Sequence, residues 1–335
     1  MHMAATIKDI ARLANVSHTT VSRALNNSPL IKEVTKRKIM EIAREVNYIP
    51  NYNAKSLVLQ RSHTIGLFFT SISMGTSSSF FADTIRGVNS VIDVGYNLFV
   101  RGIDEYEDFG SIHRKRFDGI ILMSQSDDDN AFIQHVLEQN IPLVVLNRLI
   151  PGGGFVNIVS NDREGSYDAG CYLAAHKHER IAIIEGLKGF KSTEQRRAGF
   201  LQAMEQHGIT VPDSYRVAGD YTTESGHQAM RQLLQLETPP TAVFCSNDDM
   251  AIGAINAAYA LGRKVPEDVS VIGFDDINFS RYTNPALTTV KRPVEEISAH
   301  GAEKIMERIE EDANREELIF LETELVERQS AVRRG

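Results

Sequence analysis

Cysteine is nearly absent from this 335-residue chain. Cys171 and Cys245 are too few for a disulfide framework or a cysteine-built metal site, and both read as small core residues. Long apolar runs are missing as well. The closest are short stretches such as Ile65 to Phe69 and Leu143 to Leu146, far below the roughly 18–20 residues of a membrane-spanning helix. The opening residues, MHMAATIKDIARLANV, lack the apolar segment of a secretory signal, so a cytoplasmic location and no membrane partner are expected. Catalytic signatures are missing too: there is no GxSxG, no HExxH and no P-loop. The ten histidines are scattered, and His176-Lys177-His178 reads as an exposed helix end rather than a metal site. The expectation is a protein that is not an enzyme and that needs no cofactor or metal. With 42% hydrophobic and 24% charged residues, what remains is an ordinary soluble globular chain of two to three domains.

Its charge is unevenly placed. Residues 1–62 hold ten Lys/Arg and four Asp/Glu, a net +6, so the remaining residues carry −14 of the total −8. A small basic module on a large acidic body points to a polyanion as the partner of the first part. A solvated basic helix face is the plainer reading of the same charges.

Within that module, Thr6 and Asp9 bracket a helix start ahead of apolar Ile7, Ile10, Ala11, Leu13 and Ala14. The helix stops at Asn15-Val16. Ser17 can then cap a second helix through Asn26, with Val21, Ala24 and Leu25 as its apolar positions. A third, from about Glu33 to Val46, turns Val34, Ile39, Ile42, Ala43 and Val46 inward, which completes a helix-turn-helix. Left outward on the second helix are Ser17, His18, Thr19, Ser22, Arg23 and Asn26. Short hydrogen-bonding groups and one arginine are the types that contact phosphates and base edges in a major groove. Short helical hairpins also occur without a DNA role.

The string TIKDIARLANVSHTTVSRALN, followed by NYIPNYNAKSL, resembles the head of the LacI/GalR family of bacterial repressors. The resemblance implies that His18 and Thr19 read bases, that Arg23 assists, and that Ser17, Thr20, Ser22 and Asn26 hold the DNA backbone. Thr6 and Asn51 complete that set. The third helix starts at Lys32, where the family commonly has a Ser or Thr cap. The segment from Asn51 to Gln60 is too short to hold a helix in water unaided. In proteins it resembles, this hinge pairs with its twin and enters the minor groove; Leu57 matches the leucine wedged between base pairs, with Ala54 and Lys55 as neighbours. A linker leucine resting on the body is the other reading of Leu57.

From Thr64 onward, continuous apolar runs (TIGLFFT, YNLFV, DGIILM, IPLVVLN; then RIAIIEG, TAVFCSN, VSVIGF) alternate with helical stretches. Two such series mean two lobes of parallel sheet covered on both faces. The change falls near Gly152-Gly-Gly154, which reads as a turn, not a phosphate cradle. Ligands in such sheets sit beyond the carboxyl ends of the strands. The residues there are Ser78 to Phe81, Asn147-Arg148, Ser160 to Asp162, Asn247-Asp248 and Asp275-Asp276, with Arg196 at a helix start. Asn, Asp and Arg can pair with adjacent hydroxyls, and Phe80, Phe81, Phe274 or Tyr282 can stack on a sugar ring. Each has a structural alternative as helix cap, ion-pair partner or core.

The resemblance continues through HTIGLFFTSI, RFDGIILMSQ, QRRAGFLQAM, SNDDMAIGAINA and VPEDVSVIGFDD, and the body also resembles periplasmic sugar-binding proteins. It implies an effector site of Arg196, Asn247, Asp275 and Asn147, with Ser192, Phe80 and Phe81 lining it and Ser160 and Phe274 alongside. The expected fold is α/β. A helix-turn-helix domain (1–50) and a hinge (51–62) precede a two-lobed, doubly wound body (63–335), with lobe 1 about 63–160 and 291–321 and lobe 2 about 161–290 and 322–335. Between Gly102 and Phe117 the family's crossover helix is replaced by a stretch expected to form a turn or two of helix at most. No apolar heptads follow the body, so a homodimer is expected rather than a tetramer. The implied function is a nucleoid-associated repressor that a sugar releases from a palindromic operator. Within the family the chain looks most like regulators of multiple-sugar or α-galactoside operons. The alternatives are a form activated by a corepressor or a partner protein, and a sugar receptor without a DNA role.

Overall fold

The computed structural model describes residues 6–25, 28–46, 48, 61–311 and 316–334, and the chain separates into two compact units, residues 1–61 and 62–335. The first unit holds α1 (Ile7–Ala14), α2 (His18–Leu25) and α3 (Glu33–Glu45). The Asp9 carboxylate anchors the start of α1 by accepting from the Thr6 backbone N–H at 3.0 Å and the Thr6 hydroxyl at 2.7 Å. Asn15 ends that helix in the left-handed region at φ 56°, and the Ser17 hydroxyl oxygen caps α2 by accepting from Thr20 N–H at 3.1 Å. Lys32 gives α3 no side-chain cap. The core is Ile10, Ala11, Ala14, Val21, Ala24, Ile39 and Ala43. Two residues expected inside are not: Leu13 is 54% and Val34 81% exposed. At 3.6 residues per turn both lie well round their helices from the buried stripe.

The second unit carries two six-stranded sheets. Lobe 1 contains β1 (Thr64–Phe69), α4 (Ser78–Val91), β2 (Asn97–Gly102), β3 (Gly119–Met123), α5 (Asn130–Glu138), β4 (Leu143–Leu146) and β5 (Val156–Ser160). Lobe 2 follows with α6 (Asp162–Ala175), β6 (Ile181–Glu185), α7 (Lys191–Gln206), β7 (Arg216–Ala218), α8 (Thr223–Leu234), β8 (Ala242–Cys245), α9 (Asp248–Ala260), β9 (Ser270–Asp275) and β10 (Thr288–Lys291). The chain then returns to lobe 1 as α10 (Val294–Glu311) and β11 (Glu317–Leu321), and ends in lobe 2 with β12 (Glu324–Val326). The strand orders are β11-β5-β4-β3-β1-β2 and β12-β10-β9-β8-β6-β7.

Alternation along the strands fills both faces of the first sheet. Ile65, Leu67 and Phe69 point into one core with Val88, Ile297 and Ile305, and Phe68, Ile120 and Leu122 into another with Phe132, Ile133 and Val136. Helices pair over the sheets: α4 on α10, α6 on α7, α8 on α9. Gly87 permits the first of these, since a Cβ there would stand 2.2 Å from the Glu295 carbonyl oxygen.

Three expectations need correction. The change of lobe does not fall at Gly152–Gly154. Those glycines, with φ of 72°, 142° and 70°, turn the chain between β4 and β5, and β5 still pairs within the first sheet. The sheets are not wholly parallel, because β12 runs antiparallel to β10. The chain re-enters lobe 2 at the strands' carboxyl end and can only run back down. Finally, His178 is not part of an exposed helix end: it is buried, its ring nitrogens 3.0 Å from Thr241 Oγ1 and from the Val332 carbonyl. Cys245 is core as expected, whereas Cys171 is half-buried. Between Gly102 and Phe117 the only helix is one 3-10 turn, Ile103–Glu105.

Candidate functional site

On the head, His18, Thr19 and Arg23 are exposed on one side of α2, and Ser22 is half-buried beside them. No hydrogen bond or ion pair to the described residues engages these four side chains, whereas neighbouring polar groups are occupied. Ser17 and Thr20 bond each other at 2.9 Å. Thr6 is taken by Asp9, and Arg12 pairs with Asp9 at 3.3 Å. Lys36 pairs with Glu33 at 2.8 Å, and Lys38 donates to the Ala14 carbonyl at 3.2 Å. The free set on α2 is thus smaller than the expected one: Ser17, Thr20 and Thr6 spend their side chains on capping. Asn26, Asn51, Ala54, Lys55 and Leu57 lie outside the described residues.

In the body, the carboxyl ends of both sheets face a narrow cleft with about 20 Å³ of cavity volume. Its walls are Gly75, Ser77, Phe80, Gln125, Asn147, Ser192, Arg196, Tyr221, Asn247, Asp275 and Arg292. Arg196, 2% exposed, projects from the first turns of α7. Its Nε donates to Asp162 Oδ2 at 2.8 Å and its Nη2 to Asp275 Oδ1 at 3.3 Å. Nη1 donates to the Ser246 carbonyl, and the guanidinium lies 3.8 Å over the Phe274 ring. Arg292 donates from Nε to Ser160 Oγ at 2.8 Å and from Nη2 to Asn147 Oδ1. The same Nε stands 3.3 Å from Asp162 Oδ1. Asp162 is therefore shared by both arginines. Asn247 caps α9 through Met250 N–H at 2.9 Å and donates to the Tyr221 carbonyl at 3.0 Å. The Tyr221 hydroxyl meets Ser192 at 3.0 Å and Thr193 at 2.7 Å.

Backbone conformation marks the same place. Asn147, Tyr221 and Asp275 have φ of 77°, 72° and 110°, left-handed values that cost a non-glycine residue about 1–3 kcal/mol each and cluster at binding sites. Across the cleft the lobes touch. Lys191 N–H donates to the Gln125 carbonyl at 2.8 Å and Lys191 Nζ lies 2.8 Å from Asp127 Oδ2. Ser79 Oγ donates to Asp249 at 2.9 Å.

Charge in the cleft is nearly self-neutralised. Burial opposes ionisation of Asp162, but Arg196 and Arg292 outweigh it and hold the carboxyl below its ordinary range. Burial likewise works against charge on Arg196, and Asp162 and Asp275 overcome it, so the guanidinium stays protonated. Asp275 goes the other way: burial lifts it to about 6 despite the same two arginines. Beneath it, burial pushes Asp248 up to about 8, although Ser280, Thr289 and Ile277 N–H all donate to it.

Of the nine expected effector residues, Phe80, Asn147, Ser192, Arg196, Asn247 and Asp275 meet on the cleft wall. Ser160 stands behind it, holding Arg292. Phe274 is buried under Arg196 rather than open to a ligand, and Phe81 packs on Phe69 at 5.3 Å between ring centres. Tyr282 is 70% exposed on a short 3-10 segment and lines no part of the cleft. Arg148 is tied to Ser124, Asp127 and Asn130, and Asp276 to Arg328. Gly75, Ser77, Gln125, Tyr221 and Arg292 were missed. Gln125 and Arg292 follow the ends of β3 and β10, so the strand-end rule could have found them. Tyr221 follows a three-residue strand that leaves no pattern to read. Among the described residues no group of three or more His, Cys, Asp or Glu converges as a metal site, and no helix is long and apolar enough to cross a membrane.

Comparison with known proteins places these two features together. Residues 6–51 match the family described as bacterial regulatory proteins, lacI family, and residues 171–331 match a periplasmic binding protein-like domain. A relative from Bacillus subtilis (strain 168), the probable HTH-type transcriptional repressor ExuR, is 62% identical over 328 residues, 98% of each chain. The crystal structure of the lac repressor dimer bound to operator and the anti-inducer ONPF superposes with a TM-score of 0.84 at 26% identity. That match covers 98% of this chain and 100% of that one. A transcriptional regulator CelR–cellobiose complex matches with a TM-score of 0.73 at 28% identity, over 98% and 100% of the two chains. The relatives are repressors and regulators rather than enzymes, as expected of this chain, and none of these three names carries an α-galactoside. With near-complete coverage at 62% identity, the chain belongs to the lacI family of bacterial regulatory proteins.

Proposed function

We propose that the chain is a sequence-specific DNA-binding repressor of a sugar-utilisation operon, released from a palindromic operator when a small sugar enters the interlobe cleft. One observation carries the reading: a single chain joins a helix face of polar side chains that have no partner among the described residues to a polar cleft at the carboxyl ends of two sheets. The reading assigns base contacts to His18, Thr19 and Arg23, with Ser22 beside them, and keeps residues 1–50 as head, 51–62 as hinge and 63–335 as effector body. It assigns ligand contacts to Asp275, Asn147, Asn247, Ser192, Arg196 and Phe80. With the lobes in this arrangement the cleft keeps only about 20 Å³ of cavity, about one water's room, so a sugar enters as the lobes part. The cleft's two arginines are already matched by two carboxylates. Its open side presents amide, hydroxyl and carboxyl groups able to pair with hydroxyls. The protein acts in the cytoplasm at the nucleoid as a homodimer, whose twofold symmetry matches a palindromic site.

Selection from a library of palindromic duplexes at fixed salt tests the DNA half. The wild type is expected to enrich one consensus and Arg23→Ala to lose it. Enrichment of no sequence by the wild type would overturn the assignment. The ligand half is tested by calorimetry over a panel of neutral and acidic sugars. One binder, lost in Asp275→Ala, is expected; a binder unaffected by that change would place the site elsewhere.

A further inference from the structure

We infer that Arg292 is a positioning residue that sets the relative orientation of the two lobes, and so the width of the cleft. It sits on the second crossing between lobes, after β10 of lobe 2 and ahead of α10 of lobe 1. Its side chain reaches back to the first crossing and holds both sides of it. Ser160, which takes Nε at 2.8 Å, is the last residue of β5 in lobe 1. Asp162, 3.3 Å from the same nitrogen, is the first residue of α6 in lobe 2. Nη2 donates to Asn147, just past β4 in lobe 1, and the guanidinium lies 5.5 Å from the Phe80 ring centre. One planar group, 6% exposed, thus ties two crossing strands and one cleft wall. Pro293 directly after it fixes the backbone φ at that point.

The tie continues into lobe 2. Asp162 passes its other oxygen to Arg196, and Arg196 reaches Asp275. A line of charge-assisted bonds therefore runs from Asn147 on one wall to Asp275 on the other, with Arg292 the only link that lies on a crossing segment itself. Rotation of one lobe against the other moves Ser160, Asp162 and residue 292 differently, so these bonds hold in one arrangement and break in another, as a two-state element requires. Lysine cannot substitute, because a point charge satisfies Asp162 but not Ser160 and Asn147 at once.

This inference rests on the cleft being the ligand site, but its test needs neither ligand nor DNA, so the two can fail separately. Donor and acceptor dyes are placed at Ser90→Cys on α4 and Gln235→Cys just past α8, both exposed, in a Cys171→Ser background. Labelled full-length chain is mixed with excess unlabelled chain and read by single-molecule energy transfer. The parent should give one narrow population. Arg292→Gln should broaden it and shift it to lower efficiency, and Arg292→Lys should fall between. Asn147→Ala, which removes one acceptor without stranding Asp162, should shift it in the same sense and decides the matter where Arg292→Gln does not fold. Parent-like distances in a folded Arg292→Gln or in Asn147→Ala overturn the inference, even if the melting temperature falls.

Discussion

Asp162→Asn is the sharpest probe of the cleft's construction. The carboxylate is buried, accepts from Arg196 Nε at 2.8 Å and lies 3.3 Å from Arg292 Nε. Asparagine preserves its shape but leaves buried Arg292 without its ion-pair partner and buried Arg196 with Asp275 alone. Removing one partner of a buried ion pair costs on the order of 3–5 kcal/mol, unlike replacing the whole pair by apolar groups, which is often neutral. At about 2 °C per kcal/mol for a unit of this size, the melting temperature should fall by about 6–10 °C. The pH dependence has a definite sign. A carboxyl held below its ordinary 3.8 in the folded state contributes stability that is complete above that value and is lost only as pH falls through the lower, folded one. Asp162's own share of the deficit should therefore not shrink between pH 7 and pH 5, and protonation of Asp275 near 6 can only add to it at the lower pH. Calorimetric melting of both proteins at the two pH values checks this. A loss below about 2 °C, against the 3–5 kcal/mol expected, or a deficit that shrinks between pH 7 and pH 5, would refute the claim that the Asp162 charge holds the arginines.

Four further outcomes follow from the same reasoning. Asp275, lifted to about 6, loses stability for the fold as pH rises from its ordinary 3.8 to that value, so the melting advantage of Asp275→Asn should grow over that range and level off above it. For Asp248, lifted to about 8, the advantage of Asp248→Asn should keep growing to that higher plateau; melting curves from pH 4 to 9 separate the two, and coincident plateaus would contradict the lowering of Asp275 by Arg196 and Arg292. His18→Ala and Arg23→Ala should weaken selected-operator binding without moving the melting temperature. Val34→Ala should leave both unchanged, because Val34 is 81% exposed.

How much was legible in the sequence differed between the parts. The head's helices follow from local rules, Thr6 with Asp9, Asn15 in the left-handed region and Ser17 as a cap, so their starts and stops were visible in the residues. Periodicity was less discriminating at helix ends, and Leu13 and Val34 were placed inward because an apolar side chain there looks no different from a core one. In the body, continuous apolar strands announced both sheets. The lobe switch did not follow the glycines, because a turn within a sheet and a crossing between sheets share the same residue types. The cleft residues nearest strand ends were found. Phe274 and Ser160 turned out to support Arg196 and Arg292, a distinction that needs the third dimension. Arg292, next to the end of β10, was within reach of the strand-end rule, but its tie between the lobes was not, because its partners lie 132 and 145 positions away in the chain.

The measurement closest to the central claim is fluorescence anisotropy of the full chain on its selected palindrome, at one fixed salt concentration because phosphate contacts make every affinity depend on salt. It is run with and without the sugar identified by calorimetry. The account predicts selective binding that the sugar weakens, with Asp275→Ala still binding DNA but no longer responding. Selective binding that the sugar tightens, or does not change, would contradict release as the mechanism.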